Sequence, residues 1–384
     1  MDSIHKYILG KIADRKREDN FRSLRVVKGG VDFTSNDYIG LARDNQFHKL
    51  IEEEVKSNQL YGGSTGSRLL SGNNDYVEQL ETKIAAFHRS EAALIFNSGF
   101  DANYGLLSTL PYRGDTIIYD ELVHASIHDG IKAGKANKVV FTHNDLSDLE
   151  EKLRQATGLK YVVTESLFSM DGDVAPLREM SFVCSKYGAG LIVDEAHATG
   201  VIGEKGEGLV NHLGIETDML ARVHTFSKAL GAHGAVILCS NDLKEFLINY
   251  CRPFIFSTAM SLHSLASIHV AYDYFPTLTD RRTQLKHLEN ILRGNFKSTD
   301  DIKLLPSDSP IQSVMIKGNS EVKHIAALLQ KEGFDARAIL SPTVAKGKER
   351  IRICLHSHNN EAQIKAFTAS LHTISLSKLQ SISQ

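Results

Sequence analysis

The sequence has little of what marks several specialised classes of protein. Its four cysteines are scattered, at Cys184, Cys239, Cys251 and Cys354, and no two of them form a Cys-x-x-Cys pair. This spacing argues against a disulfide framework and against a zinc site built on cysteine, and it fits a reducing compartment. No apolar run approaches the roughly 18 residues that span a bilayer.

Charge of one sign is not in excess either. The formal net charge is −2 over 384 residues, so we expect neither nucleic acid nor a membrane surface as a partner. The N-terminal region is an amphipathic pattern with acidic residues and lacks the apolar core of a signal peptide, so we expect a cytoplasmic protein.

We expect no metal centre: His356 and His358 have a spacing that could hold an ion, but without a carboxylate or cysteine partner they are interpreted as surface histidines.

What the sequence does contain is a long alternation of short apolar runs and helical segments. This alternation predicts an α/β fold with a large, mostly parallel sheet covered on both faces. The predicted strands are 31–34, 92–96, 116–119, 139–141, 161–164, 191–193, 222–225 and 235–239. After a helical stretch from 242 to 275, the pattern becomes that of a small α+β unit with strands at 311–316 and 351–355. We predict an N-terminal helix and strand segment (1–40), a large domain (41–275) and a small C-terminal domain (276–384).

Ionisable residues follow directly after two of the predicted strands. The run Leu191–Val193 leads into Asp194 and His197, and the strand that ends at Thr225 is followed by Lys228. Ligands of open α/β sheets bind beyond the carboxyl ends of the strands, so we expect these ionisable side chains to meet in one crevice. A carboxylate, an imidazole and a lone lysine suit a cofactor with a cationic ring nitrogen and an aldehyde. Pyridoxal 5'-phosphate (PLP) has both.

Further junctions place glycine or polar residues at the same edge. Strand 92–96 breaks at Asn97-Ser98-Gly99-Phe100, where a helix begins and its free N–H groups could hold a phosphate; a plain turn is the alternative. His124 stands at the next strand-to-helix junction, either as a cap or as a ring that stacks on a pyridine. The glycine-rich segment 61–72 carries hydroxyl side chains that are placed to line a polar site.

Seven motifs in one order resemble those of the α-oxoamine synthases. They are Ser35-Asn-Asp-Tyr-Ile-Gly-Leu41, Gly62-Gly-Ser-Thr-Gly-Ser-Arg68, Asn97-Ser-Gly-Phe100, Val123-His-Ala-Ser126, Glu165-Ser-Leu-Phe-Ser-Met-Asp-Gly-Asp173, Asp194-Glu-Ala-His197 with Thr199-Gly200, and Thr225-Phe-Ser-Lys228. The likeness covers essentially the whole chain. It implies a fold-type-I, PLP-dependent enzyme that joins an amino acid to an acyl thioester with loss of CO2.

Carried over position by position, the resemblance implies a PLP site and a set of catalytic residues. The implied catalytic residues are Lys228 as the Schiff-base lysine, Asp194 at the pyridine nitrogen, His197 at the 3'-oxygen and His124 stacked on the ring. The implied cofactor site adds Ser169 from the Ser-Met-Asp-Gly-Asp motif, with Gly99, Phe100 and Thr225 at the phosphate. Ser257 and Thr258 match a phosphate contact made from a partner subunit, which implies a homodimer with shared active sites.

The resemblance also implies substrate residues, namely Arg22, Asn36, Thr343 and Arg352, with Arg352 favoured for the amino-acid carboxylate. L-Alanine and a pimeloyl thioester, on CoA or a carrier protein, are the favoured substrates. The alternatives are glycine with acetyl-CoA, another family reaction such as that of serine palmitoyltransferase or 5-aminolevulinate synthase, and a catalytically silent PLP-fold subunit. One position departs from some relatives: Leu340 stands where they have arginine, and Arg337 is the nearby cation that could replace it.

Overall fold

The computed structural model describes residues 2–24, 26 and 29–382. Within them the strands are β1 (Val31–Asp32), β2 (Ala92–Phe96), β3 (Thr116–Asp120), β4 (Asn137–Phe141), β5 (Lys160–Glu165), β6 (Ala189–Asp194), β7 (Met219–Thr225), β8 (Ala235–Cys239), β9 (Lys303–Leu304), β10 (Ile311–Met315), β11 (Phe334–Asp335), β12 (Arg337–Ile339) and β13 (Arg350–Cys354). The α-helices are α1 (Asp2–Arg17), α2 (Asn45–Ser57), α3 (Asp75–Phe87), α4 (Gly99–Thr109), α5 (Ala125–Ala133), α6 (Leu146–Gln155), α7 (Leu177–Lys186), α8 (Leu209–Leu213), α9 (Asn241–Tyr250), α10 (Arg252–Ile255), α11 (Leu262–Tyr274), α12 (Thr279–Asn295), α13 (Asn319–Lys331) and α14 (Glu361–Ile382).

The chain forms two compact units. The large unit comprises Asn36–Ser169 and Asp173–Thr283, and the small unit comprises the residues through Ser35, Met170–Gly172 and the residues from Gln284 onward. The N-terminal strand, which the sequence pattern assigned to a segment of its own, therefore groups with C-terminal residues.

The large unit is built on a seven-stranded sheet in the order β2-β8-β7-β6-β5-β3-β4. The strands from β7 to β4 are parallel, and β8 runs antiparallel to both of its neighbours. β2 and β8 are buried along their whole length, as their continuous apolar sequences predict. The predicted mostly parallel α/β sheet is confirmed, and the register places Glu165 at the end of β5 beside Asp194 at the end of β6.

Several helices of the large unit begin where a short polar side chain caps the first turn. Asp44 accepts the N–H of Phe47 at the start of α2, and Ser98 accepts that of Asp101 at the start of α4. Such caps satisfy N–H groups that have no acceptor inside the helix and stabilise it by about 1 kcal/mol each. They fix the residue at which each helix begins, and for α4 that residue is Gly99.

The small unit contains a four-stranded antiparallel sheet in the order β12-β13-β10-β9. β1 pairs in parallel with β11, Val31 opposite Phe334. Phe33, Phe334 and Phe367 pack together beneath this pair, with ring centroids 4.5 to 6.2 Å apart. No helix among the described residues is long and apolar enough to cross a membrane.

Candidate active site

Asp194 is held at the carboxyl end of β6 by donors from two parts of the chain. Asn103 Nδ2, on α4, donates to Asp194 Oδ2 at 2.7 Å, and the N–H of Ala196 donates to Oδ1 at 2.8 Å. Asp194 is buried. Both oxygens therefore have fixed partners, and the carboxylate has one orientation in the crevice.

His124 is joined to Asp194 through a short hydrogen-bonded chain. Asn103 Nδ2 also donates to Ser126 Oγ at 3.1 Å, and Ser126 Oγ lies 2.8 Å from His124 Nδ1. The N–H of Ser126 donates to the same Nδ1 at 3.2 Å. Because a backbone N–H can only donate, Nδ1 is the acceptor, and Nε2 carries the proton of the neutral imidazole.

The charges of Asp194 and Lys228 both reach His124. Burial lowers the pKa of His124, the Asp194 carboxylate raises it and the Lys228 ammonium lowers it, with a net lowering. The structure thus brings together the ionisable residues that follow β6 and β7 and the histidine that follows β3. His124 is uncharged at neutral pH, which suits a ring that packs flat against another ring.

His197 lies in the turn after β6, and Tyr38 holds its ring. The hydroxyl of Tyr38 is 2.8 Å from His197 Nδ1, and it donates to Asn36 Oδ1 at 3.1 Å. Both rings are buried. The motif that contains Asn36 and Tyr38 is therefore connected directly to the turn that contains His197.

The start of α4 and the end of β7 form a close pair. A Cβ on Gly99 would lie 2.7 Å from Thr225 Cγ2, so only glycine leaves room there. Thr225 Oγ1 is buried and has no hydrogen-bond partner among the described residues. A buried hydroxyl without a partner, beside the N–H groups of a first helical turn, fits a bound anion. Phe100, the next residue of α4, is part-exposed.

Glu165 is a buried acid that the sequence interpretation did not single out. Burial raises the pKa of Glu165 well above its usual value, and the neighbouring Asp194 carboxylate raises it further. Its Oε1 has no hydrogen-bond partner among the described residues. An acid at the end of the apolar run of β5 is the same signal that identified Asp194 on β6, so the sequence did contain it.

The remaining predicted cofactor residues lie in loops of the large unit. Ser169 is at the end of the segment that follows β5, where Leu167 and Val174 form an isolated bridge. Ser257 and Thr258 lie between α10 and α11, and Asn97 Nδ2 donates to the carbonyl oxygen of Thr258 at 2.9 Å. The contact of Ser257 and Thr258 with a partner subunit stays a prediction.

The predicted substrate residues other than Asn36 belong to the small unit. Arg22 donates to Thr343 Oγ1 at 3.2 Å, so these two lie together. Arg352 lies on β13, in register with Arg337 on β12. Arg337 Nε donates to Asp335 Oδ1 at 2.7 Å. Arg337, the cation near Leu340, is therefore already paired with a carboxylate.

The interpretation of His356 as a surface histidine is wrong. His356 is fully buried, with Nδ1 3.1 Å from the carbonyl oxygen of Asp32 and Nε2 3.0 Å from that of Ser35. The Asp32 carboxylate also forms a group with His356 and His358, so a carboxylate partner exists. Asp32 is far away in the sequence, but the residue after it, Phe33, accepts the N–H of Cys354 at 2.9 Å, and this contact lies beside His356.

Comparisons with known proteins agree with this architecture. A sequence profile of the family described as aminotransferase class I and II matches residues 28–371. An 8-amino-7-oxononanoate synthase of Emericella nidulans is 39% identical over 389 aligned residues, which cover 94% of this chain and 93% of the relative.

Two solved structures share the fold. A serine palmitoyltransferase variant from S. paucimobilis with a bound PLP–myriocin aldimine has a TM-score of 0.86 and 26% identity, covering 97% of this chain and 99% of its own. An 8-amino-7-oxononanoate synthase of Francisella tularensis has a TM-score of 0.78 and 27% identity, covering 91% of this chain and 99% of its own. The predicted fold type is confirmed.

Proposed function

The chain belongs to the aminotransferase class I and II family, within it to the α-oxoamine synthases, and from this premise we propose that it catalyses the 8-amino-7-oxononanoate synthase reaction of biotin biosynthesis. In this reaction L-alanine and a pimeloyl thioester give 8-amino-7-oxononanoate, CO2 and the free thiol. The structural observation that carries the proposal is the buried chain from Asp194 through Asn103 and Ser126 to His124, beside Lys228.

PLP is the cofactor of this family, and the crevice fits it. Within the described part of the chain the Thr225 hydroxyl has no hydrogen-bond partner, and the Gly99 position has no room for a side chain, as a phosphate held at the start of α4 requires. We propose that Gly99, Phe100 and Thr225 hold the phosphate, Asp194 the ring nitrogen and His197 the 3'-oxygen. Ser169 would be a further cofactor contact. His124 would cover the ring, and Lys228 would bind the aldehyde carbon. When bound, PLP supplies an electron sink for negative charge at the amino-acid Cα.

Ionisable residues of the chain would hold or transfer protons around the bound cofactor. We propose that the amine of Lys228 takes the proton from the amino-acid Cα and later returns it. Asp194, with two fixed donors, keeps a negative charge in one place. Glu165 stays protonated, because a second carboxylate in register with Asp194 would be costly to ionise in a buried crevice.

For the substrates, we propose that Arg352 grips the amino-acid carboxylate and that Arg22 with Thr343 meets the acyl chain. A guanidinium can bind a carboxylate through two parallel hydrogen bonds, which fixes its orientation. Since Arg337 is paired with Asp335, Arg22 is the better candidate for the distal carboxylate of a pimeloyl chain. Asn36 would complete the amino-acid side of the site.

The test is a thiol-release assay over matched pairs of substrates. We expect the highest kcat/KM for L-alanine with pimeloyl-CoA, compared with glycine and acetyl-CoA and with serine and palmitoyl-CoA. One methylene in an apolar pocket contributes about 1–3 kcal/mol, so chain length should discriminate more strongly than alanine against glycine. A higher kcat/KM for glycine with acetyl-CoA would reject the proposal in favour of a glycine C-acetyltransferase. A carrier-protein thioester assayed in parallel identifies the natural donor.

We further propose that the active enzyme is a homodimer whose subunits share Ser257 and Thr258. Large apolar side chains next to this segment are exposed, with Phe256 69%, Tyr250 64% and Tyr112 62% accessible. An exposed group of aromatic residues of this kind is typical of an interface core.

A further inference from the structure

The contact between Tyr38 and His197 is not explained by the residues assigned above to the cofactor or the substrates. We propose that Tyr38 is a positioning residue: it fixes the ring of His197 through Nδ1 and, through Asn36, joins the substrate side of the crevice to the cofactor side. The inference rests on the proposed function only for the identity of the groups that His197 and Asn36 meet.

The contact is short and enclosed. The Tyr38 hydroxyl lies 2.8 Å from His197 Nδ1, across 159 residues of sequence. Tyr38 has no exposed surface and His197 is 5% exposed. The ring centroids are 6.2 Å apart and the planes are tilted by 55°, so the two residues meet through the hydroxyl and not as stacked rings.

Tyr38 itself is held by a rigid turn. Asp37 Oδ1 accepts the N–H of Ala42 at 3.1 Å, and Asp37 Oδ2 accepts Arg43 Nε at 3.2 Å. Gly40 takes a left-handed conformation (φ 73°), and its N–H donates to the carbonyl oxygen of Asp37 at 2.9 Å. The Tyr38 hydroxyl is therefore a hydrogen-bond partner of fixed position for His197.

The chemistry follows from the shape of imidazole. Its two nitrogens lie on opposite sides of the ring, so a partner at Nδ1 determines that Nε2 is presented to the other side. For metal-bound imidazoles, removing the partner that orients the ring typically changes affinity or activity by about 10- to 100-fold, and the lower end of this range is the scale expected here. The hydroxyl also donates to Asn36 Oδ1 at 3.1 Å, so Tyr38 links Asn36 to His197 through hydrogen bonds.

The large unit offers a matched control. The hydroxyl of Tyr272 lies 2.9 Å from His88 Nε2, and both residues are buried. Neither is assigned to the crevice. Tyr272→Phe therefore removes the same atom from the same kind of partner, and any effect of a lost buried hydroxyl on stability alone should appear in both variants.

The experiment compares Tyr38→Phe with Tyr272→Phe, both loaded with PLP. For Tyr38→Phe we expect about a tenfold lower kcat with a smaller change in KM, and a shifted pH midpoint of the cofactor's visible absorbance. We also expect displaced 15N resonances of His197 in the cofactor-free protein. Tyr272→Phe should change none of these three readouts. In a His197→Ala background, Tyr38→Phe should have no further effect on the absorbance midpoint.

Unchanged His197 resonances and an unchanged absorbance midpoint in Tyr38→Phe would overturn the proposal. Equal shifts in the two phenylalanine variants would overturn it as well, because the effect would then be general. If Tyr38→Phe does not fold, the wild-type 15N spectrum decides: because the Tyr38 hydroxyl donates its proton to Asn36, His197 Nδ1 should carry a proton and resonate as a protonated ring nitrogen, and an unprotonated Nδ1 counts against the proposal. If wild type binds PLP and shows the His197 effects but makes no product, the proposed reaction fails while this inference stands.

Discussion

At the scale of single residues, hydrogen bonds hold most side chains of the candidate site in one orientation. Asp194 has two fixed donors, and His124 Nδ1 accepts from Ser126. Thr225 Oγ1 and Glu165 Oε1 are the exceptions, since both are buried without a hydrogen-bond partner among the described residues. Unsatisfied buried polar atoms are uncommon in proteins, and a bound water, ion or ligand is one explanation for each of them.

Replacing Lys228 tests the centre of the site. Lys228→Ala should abolish turnover and leave the unfolding midpoint close to that of wild type, because Lys228 is only part-buried and one amine is lost. Wild type should be yellow when loaded, and borohydride should fix the cofactor on Lys228. Mass spectrometry that finds the adduct on another lysine would contradict the assignment.

Asp194→Asn changes one oxygen of a buried carboxylate to an amide nitrogen. Either Asn103 or the N–H of Ala196 then faces a donor, which should destabilise the fold by about 1–3 kcal/mol. The variant should still bind PLP, but exchange of the alanine Cα proton with solvent deuterium should slow by at least about 100-fold, as when a preorganised charge is lost. Wild-type exchange measured by NMR in this variant would refute the role of the carboxylate.

At the scale of elements, His143 links β3 to the loop that follows β5. Its Nδ1 lies 2.9 Å from Asp120 Oδ1, at the end of β3, and its Nε2 lies 2.7 Å from Asp173 Oδ2. Burial lowers the pKa of His143, but the two carboxylates outweigh burial and raise the pKa to about 9. The charged imidazole thus bridges two acids at the edge of the sheet where the crevice lies.

This bridge predicts a particular dependence of stability on pH. The folded-state pKa lies above the usual 6.5, so the contribution is complete below pH 6.5 and is lost as the pH rises through about 9. The loss should be up to about 3 kcal/mol in the free energy of unfolding. Urea unfolding of wild type and of His143→Gln on both sides of this window measures it. A loss of equal size in both proteins would show that another group is responsible.

At the scale of the whole molecule, the exposed aromatic side chains beside Ser257 and Thr258 are the observation that supports the proposed dimer. Phe256→Asp should place a charge in the interface core and weaken the dimer by several kcal/mol. We expect light scattering to show a dimer for wild type and a monomer with weaker PLP binding for the variant. Phe182→Asp is the control, since Phe182 is similarly exposed, at 73%, and lies on α7. A wild-type monomer with full activity would refute shared active sites.

Local patterns in the sequence were sufficient for the α/β fold, for most strand positions and for the residues at the ends of β6 and β7. Alternation of apolar runs is a short-range property, and an acid or a lysine after such a run can be recognised without knowing the fold. The same rule would also have found Glu165. Those residues already suggested PLP, and the α-oxoamine synthase motifs added the family, its reaction and the roles of the individual residues.

Only the tertiary structure shows which residues, distant in the sequence, are the hydrogen-bond partners of the site residues. Asn103 lies 91 residues from Asp194, Tyr38 lies 159 residues from His197, and Asp32 lies 324 residues from His356. His356 looked like a surface residue because its partners come from β1, at the other end of the chain. A hydrogen bond depends on separation in space, whereas a sequence pattern records separation along the chain, and only the packing of helices, strands and turns against one another brings these residues together.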